Sequence, residues 1–260
     1  MPTSLRDAAA DLLLGGSCLG CGTPGRLVCP ACRAGLPTEA TPHWPTPPPP
    51  GLVTPYAVTA YDGLVRALVL GHKEHRLLAL TPVLGRLLAC SVAAATGATA
   101  ATAATAGTGG SGALVLVPVP SRPATVRARG HDPMLAMTRE AARALGPVVS
   151  VVPLLRSRPG VVDQAGLDVA HRRANLAGSM AVRDRPLRAL VRRGRPVHVV
   201  LCDDVLTTGS TAREAQRALA AVGIDVLAVA VVAATARRSS DRMVLGQLSA
   251  PEVPPPPRTH

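Results

Sequence analysis

Two adjacent carboxylates, Asp203 and Asp204, close an aliphatic run in the stretch "HVVLCDDVLTTGST" (198–211), and Thr207, Thr208, Gly209, Ser210 and Thr211 follow directly. Neighbouring carboxylates repel unless a cation or a set of hydrogen donors holds them; the vicinal hydroxyls of a sugar or Mg²⁺ can do both. The T-T-G-S-T run is expected to open a helix, whose free N–H groups and dipole attract an anion. Gly209 would let the backbone approach closely, and the hydroxyls add donors. A carboxylate pair for a diol, one turn from a cradle for a phosphate, describes a seat for a ribose 5-phosphate. A Walker A loop is excluded, because no G-x-x-x-x-G-K-[ST] occurs.

A second constellation lies near the start. In "CLGCGTPGRLVCPAC", Cys18, Cys21, Cys29 and Cys32 form C-x₂-C, seven residues, then C-x₂-C. Each C-x-x-C turn offers two thiolates to one side of a tetrahedral zinc ion, with Gly20 and Gly22 allowing the tight turn. So small a fragment cannot build its own core, and metal binding would be its folding energy. Four thiolates leave no open coordination position, which makes the expected role structural. Cys90 and Cys202 stand in apolar surroundings and read as core. His72 and His75, flanking Lys73, read as polar helix positions near the site.

These residues need a scaffold. The runs "VTPYAVTAY" (53–61), "ALVLVPVP" (113–120), "VVSVV" (148–152), "PVHVVLC" (196–202) and "DVLAVAVVAAT" (225–235) are strand candidates. Helical periodicity occupies 64–95, broken near Gly71 and Pro82, then about 133–145 and 209–222. Continuously aliphatic strands alternating with helices predict an α/β fold with a mostly parallel sheet covered on both faces. Ligands bind such sheets at the carboxyl ends of the strands, where every unusual polar motif here falls. The expected organisation is a helix (5–14) and four-cysteine module within 1–45, and a Pro-rich linker at 46–52. A main domain follows at 53–236, carrying a flexible Ala/Thr/Gly insertion at 96–112, and then a disordered tail at 237–260.

The 260 residues carry a net charge of +12, and 47% of them are hydrophobic, enough for a core without disulfides. Phe is absent and aromatics are 1%, which argues against binding single strands by base stacking. Fifteen of the 27 arginines fall in 122–158 and 172–195 against three acids, a clustering suited to phosphate-bearing ligands or nucleic acid. Heavy use of Ala, Arg, Gly and Pro also fits a GC-rich coding background. Against that background Lys73, the sole lysine, stands out. No apolar run is expected to span a bilayer, and the start lacks the n-region and h-region of a signal peptide. A cytoplasmic location is therefore expected, and with it thiols rather than disulfides.

The stretch "VVLCDDVLTTGST" resembles the phosphoribosyl diphosphate (PRPP) signature of type I phosphoribosyltransferases. With "CLGCG…CPAC", "VPVPSRPATVRARG" (117–130), "DQAGLDVAHRRANLAGS" (163–179) and, more weakly, "YDGLVRALVLGHKEH" (61–75), the chain is similar to the ComF family, the ComF/GntX group. That resemblance implies a type I phosphoribosyltransferase-like fold with Mg²⁺ accompanying PRPP. It places the ribose hydroxyls on Asp203 and Asp204 and the 5-phosphate on 207–211. It also makes "PVPSR" (118–122) a pyrophosphate loop including Ser121 and Arg122, with Arg129 adding charge. Lys73 matches a basic position of the family, and Gln164, Arg172 and Asn175 match its Q…R-x-x-N segment, a loop over the site. Where the family reads R-G-F-N-Q, this chain has Arg129-Gly130-His131-Asp132-Pro133, losing two amides and gaining a helix-starting proline. The family implies transfer of a phosphoribosyl group with release of pyrophosphate. The alternative is a non-catalytic PRPP-binding accessory protein in DNA uptake, working with single-stranded DNA or a helicase-like competence protein.

Overall fold

A computed structural model of the chain describes residues 16–105, 112–121, 130–158 and 178–235. The expected helix at 5–14, the tail at 237–260, and Arg122, Arg129, Gln164, Arg172 and Asn175 lie outside them. In chain order, helix α1 spans Pro30–Ala34, strand β1 Thr41–Pro42, β2 Pro55–Ala60, α2 Gly63–Lys73 and α3 Thr81–Thr105. Next come β3 Ala113–Pro118, α4 Pro133–Leu145, β4 Val149–Val151, β5 Leu155–Ser157 and β6 Met180–Val182. The last elements are α5 Asp184–Val191, β7 Val197–Leu206, α6 Ser210–Ala220 and β8 Val226–Ala234. The α/β character and the mostly parallel sheet expected from the aliphatic runs are both present. Six strands pair in the order β1-β2-β8-β7-β3-β4, antiparallel only between β1 and β2.

Strand alternation divides the core into two layers. Leu116, Val200, Cys202, Ala230 and Val232 face α2, α3 and α4, whereas Val115, Val117, Val199, Leu201, Val229 and Val231 face α5 and α6. Both faces are covered, so the strands are aliphatic throughout rather than alternating with polar residues. From β3 the chain runs out through α4 to β4, and it later returns to place β7 on the other side of β3. The β3/β7 boundary is therefore the switch point, where a parallel sheet leaves a crevice at its carboxyl end.

Three expectations change. The 96–112 insertion is helical as far as Thr105, because alanine is the strongest helix former; Thr96 is accommodated with its hydroxyl donated to the carbonyls of Val92 and Ala93. The 46–52 segment, expected as a linker, is packed. Pro45, Pro49 and Leu52 are buried, Arg213 and Gln216 donate to the carbonyls of Pro50 and Gly51, and Val53 N donates to Gln216 Oε1. Finally, one stretch, Leu78–Ala98, is long and apolar enough to cross a membrane by length and composition, with 56% of it buried inside the protein. That hydropathy belongs to α3, which lies against β2, β8 and α4 and sends Ser91 Oγ to the carbonyl of Val231.

The antiparallel pair β5–β6 and helix α5 are not legible as periodic patterns, being three, three and eight residues long. β5 and β6 bracket the 159–177 segment. Its flanks are fixed where Arg158 N donates to Ser179 O, and where buried Glu214 accepts from Met180 N and forms a 2.7 Å ion pair with Arg217.

Candidate ligand site at the sheet switch point

The acid pair stands within β7 rather than after it. Strand β3 stops at Pro118, paired with Cys202, and the flanking prolines have no N–H with which to prolong the ladder. On its other side β7 stays paired with β8 through Leu206. Asp203 and Asp204 therefore project past the end of β3 into an open crevice of about 690 Å³, which they line together with Lys73, Ser121, Thr207 and Thr211.

The two carboxylates are held locally. Asp203 Oδ1 accepts from Asp204 N at 2.9 Å, and Asp204 Oδ1 accepts from Val205 N at 2.8 Å. Across the crevice Lys73 Nζ lies 2.7 Å from Asp204 Oδ2. Burial, then repulsion from Asp204, pushes the Asp203 carboxyl up to about 7, with Lys73 pulling the other way. Burial works against the Lys73 charge as well. The charge and hydrogen bond of Asp204, then Asp203 and Glu74, nevertheless hold it above its ordinary value. Among the described residues the second carboxylate, Asp203, has no cation of its own beside the already paired Asp204, an arrangement that a cation or a diol would relieve.

Gly209 is the N-cap of α6 at φ +71°, a left-handed conformation that favours glycine. A side chain there would also approach Leu52, Pro45 and Pro49 at 3.1–3.2 Å. The packed 45–52 segment thus sits directly beneath the loop and fixes it. Thr208 and Ser210 pair their hydroxyls at 3.0 Å, while Thr207 and Thr211 face the crevice. The N-terminus of α6 presents first-turn N–H groups without intrahelical carbonyl partners, that of Ser210 donating to Thr208 Oγ1, and a positive dipole end that suits a phosphate.

Opposite, Ser121 Oγ donates to Asp132 Oδ1 at 3.0 Å, and the same oxygen accepts from Met134 N and Leu135 N. The His131-Asp132-Pro133 stretch is therefore an N-cap with proline at the first helical turn, and it ties the end of the β3 loop to α4. His72 is 3% exposed, bonds Thr81 Oγ1 at 2.9 Å, and is driven down to about 4 by burial and by nearby His131. It is a neutral residue of the crevice wall, not a source of charge. Apart from Glu74, the remaining wall is largely apolar, with Tyr61, Val69, Leu84, Met134 and Met137. Tyr61 opens the 61–75 segment but is not among the expected site residues, although its place just after β2, at the carboxyl end of the sheet, is a signal for it.

The ligand atoms of Cys18, Cys21, Cys29 and Cys32 lie within 4.8 Å of one another. A zinc tetrahedron with bonds of about 2.3 Å has sulfur–sulfur edges of about 3.8 Å; the Cys21–Cys29 separation is 3.6 Å. Cys29 N donates to Cys18 Sγ and Cys32 N to Cys29 Sγ, bonds that favour thiolates. Burial opposes ionisation of Cys18, yet backbone N–H groups of Cys29, Cys21 and Gly20 bring its thiol down to about 6. At Gly20 a side chain would meet Cys32 Sγ at 2.8 Å, so the turn needs glycine. Cys202 is buried in the sheet, where burial pushes its thiol up beyond the ordinary range, and Cys90 is half-buried with its thiol raised likewise.

The structure thus brings Asp203, Asp204, Lys73, Ser121, Thr207 and Thr211 to one crevice, with Thr208, Gly209 and Ser210 forming the turn behind them. No family model matches the chain, and no curated protein does.

Proposed function

We propose that the crevice binds PRPP and that the chain is a phosphoribosyltransferase-like protein of the ComF type. The observation that carries this reading is the carboxylate pair projecting at the switch point, with a lysine on one acid and the N-terminus of a helix one turn further on. Asp203 and Asp204 accept from the ribose 2′- and 3′-hydroxyls, and the 207–211 loop takes the 5-phosphate on backbone N–H groups and hydroxyls. Mg²⁺ suits the oxygen-only donor set of the acids, and its charge would favour departure of the diphosphate. In the transfer, the bond from ribose C1 to the diphosphate oxygen breaks and its electron pair leaves with pyrophosphate. A lone pair of the acceptor forms the new bond to C1, and the acceptor's proton is released. The paired acids offset the positive charge that develops on the ribose ring, and Lys73, beside Asp204, supplies positive charge for the departing diphosphate in this reading. The four cysteines would hold a structural zinc ion.

Calorimetric titration with PRPP and Mg²⁺ tests this: saturable binding lost in Asp204→Ala is expected, and no binding at millimolar PRPP refutes it. Screening acceptors for pyrophosphate release then tests turnover. One observation favours the accessory reading. Arg185, Arg188, Arg192, Arg193 and Arg195 are all exposed along α5 and the turn after it, a surface suited to the phosphates of DNA. Salt-dependent oligonucleotide binding that survives Asp204→Ala, without pyrophosphate release, would select it.

A further inference from the structure

Lys73 reaches Asp204 from the last residue of α2, and what sets the position of α2 is not the crevice. The four-cysteine module lies on that helix. At Gly20, between the first two cysteines, the nearest atom outside the module is Leu64 Cδ1, 3.2 Å from where a Cβ would stand. Leu19, the residue after Cys18, presses on Gly71. A Cβ at Gly71 would lie 3.3 Å from Leu19 Cδ1 and 3.1 Å from Leu77 and Leu80. The module has no core of its own. Val28 belongs to the cluster formed by α2, α3 and α4, and Leu19, Leu27 and Leu36 pack against it. Gly71 is two residues before Lys73, and the chain turns back at once through Arg76 at φ +57°, with Leu77 N bonded to Gly71 O. A shift of Leu19 is therefore passed toward Lys73 through the close packing at Gly71, which Leu19 shares with Leu77 and Leu80.

We propose that the four-cysteine module is the buttress of α2, with Leu19 as the positioning residue that sets the point from which Lys73 reaches Asp204. Binding a metal in the module and binding a ligand in the crevice are thereby coupled. The buttress itself stands on packing alone; its consequence for ligand affinity rests on the PRPP reading.

Because Lys73 is the sole lysine, reductive ¹³C-methylation labels its amine and the amino terminus alone, and the label keeps the charge. Asp204→Asn gives the chemical shift of Lys73 with its ionic partner removed. In the full-length zinc-loaded protein, Leu19→Ala is expected to move the Lys73 signal toward that reference with one zinc per chain retained. Leu19→Met is expected to restore it. Leu64→Ala, which removes the other contact from the side of α2, is expected to move it in the same direction. Zinc chelation should do so too, with amide protection across β8 preserved as the sign of an intact sheet. An unmoved Lys73 signal in Leu19→Ala and Leu64→Ala overturns the proposal. PRPP affinity should fall about fivefold or more in Leu19→Ala, and Leu19→Ala should add nothing in a Lys73→Ala background, as coupled contacts require. Equal losses in both backgrounds overturn it. If the unaltered protein binds no PRPP yet the Lys73 signal moves as stated, the PRPP reading fails and the buttress stands.

Discussion

Asp203 is the residue where stability and ligand binding should conflict most measurably. Burial and the neighbouring Asp204 charge raise its carboxyl to about 7 from an ordinary 3.8. A group with a raised folded-state pKa keeps its proton longer in the native than in the unfolded chain. The native state is therefore favoured fully below about 3.8, and that advantage is lost as pH rises to about 7. A pH unit well inside this window is worth about 1.4 kcal/mol and about half of that at its upper edge, so from pH 5 to pH 7 the wild type should lose about 2 kcal/mol through this one group. Asp203→Asn removes the titration while keeping an oxygen for the hydrogen bond from Asp204 N. Urea denaturation without ligand or divalent cation should therefore show the variant gaining on the wild type by about 2 kcal/mol between pH 5 and pH 7, with only about 0.3 kcal/mol more by pH 8. Under the proposed function the same variant should bind PRPP poorly. A stability difference that is constant across this pH range would refute the reasoning, because the acid would then carry no burial or charge penalty.

Gly209→Ala forces a side chain into a left-handed position against Leu52, Pro45 and Pro49; a loss of about 1–2 kcal/mol in urea denaturation is expected from the backbone alone. Glu214→Gln removes the charge from a buried carboxylate bonded to Arg217 and Met180 N and should cost about 1–3 kcal/mol at neutral pH. Burial opposes ionisation of Glu214, but Arg217 and then the backbone N–H groups of Met180 and Gly178 hold its pKa below the ordinary 4.5. Its contribution is therefore present above that value and lost as pH falls through the folded one, so the variant's acid limb should be shallower. Elemental analysis should find one zinc per chain, and Cys29→Ser should lower both its occupancy and the melting temperature.

How far the sequence spoke depended on how local each signal was. The C-x₂-C pairs were legible, since chelating turns are short-range. The acid pair and hydroxyl loop were legible too, since their order along a strand and into a helix start carries their geometry. The strands of the parallel sheet could be found because burial on both faces leaves them uniformly aliphatic. What could not be found depended on distant partners. β5 and β6 are three residues each and pair across the 159–177 segment. The proline-rich 45–52 segment has no periodicity, and its order comes from Arg213 and Gln216, over 160 residues away. Lys73 drew notice by composition, but its contact with Asp204 joins two ends of the chain that no local pattern links. Ser121 was read as part of a loop, and its role in steadying Asp132 appears only with α4 in place.

The prolines beneath Gly209 carry a consequence for how tightly an anion can be held. A glycine-centred turn left to itself samples many shapes, and a phosphate arriving there would have to freeze it. Here the freezing happens during folding, through residues that never touch the crevice. A chain trimmed to start at residue 53 would keep both aspartates and every hydroxyl of the loop. It would nevertheless meet its ligand with a loosened cradle, and its affinity would drop without the loss of a single contacting group.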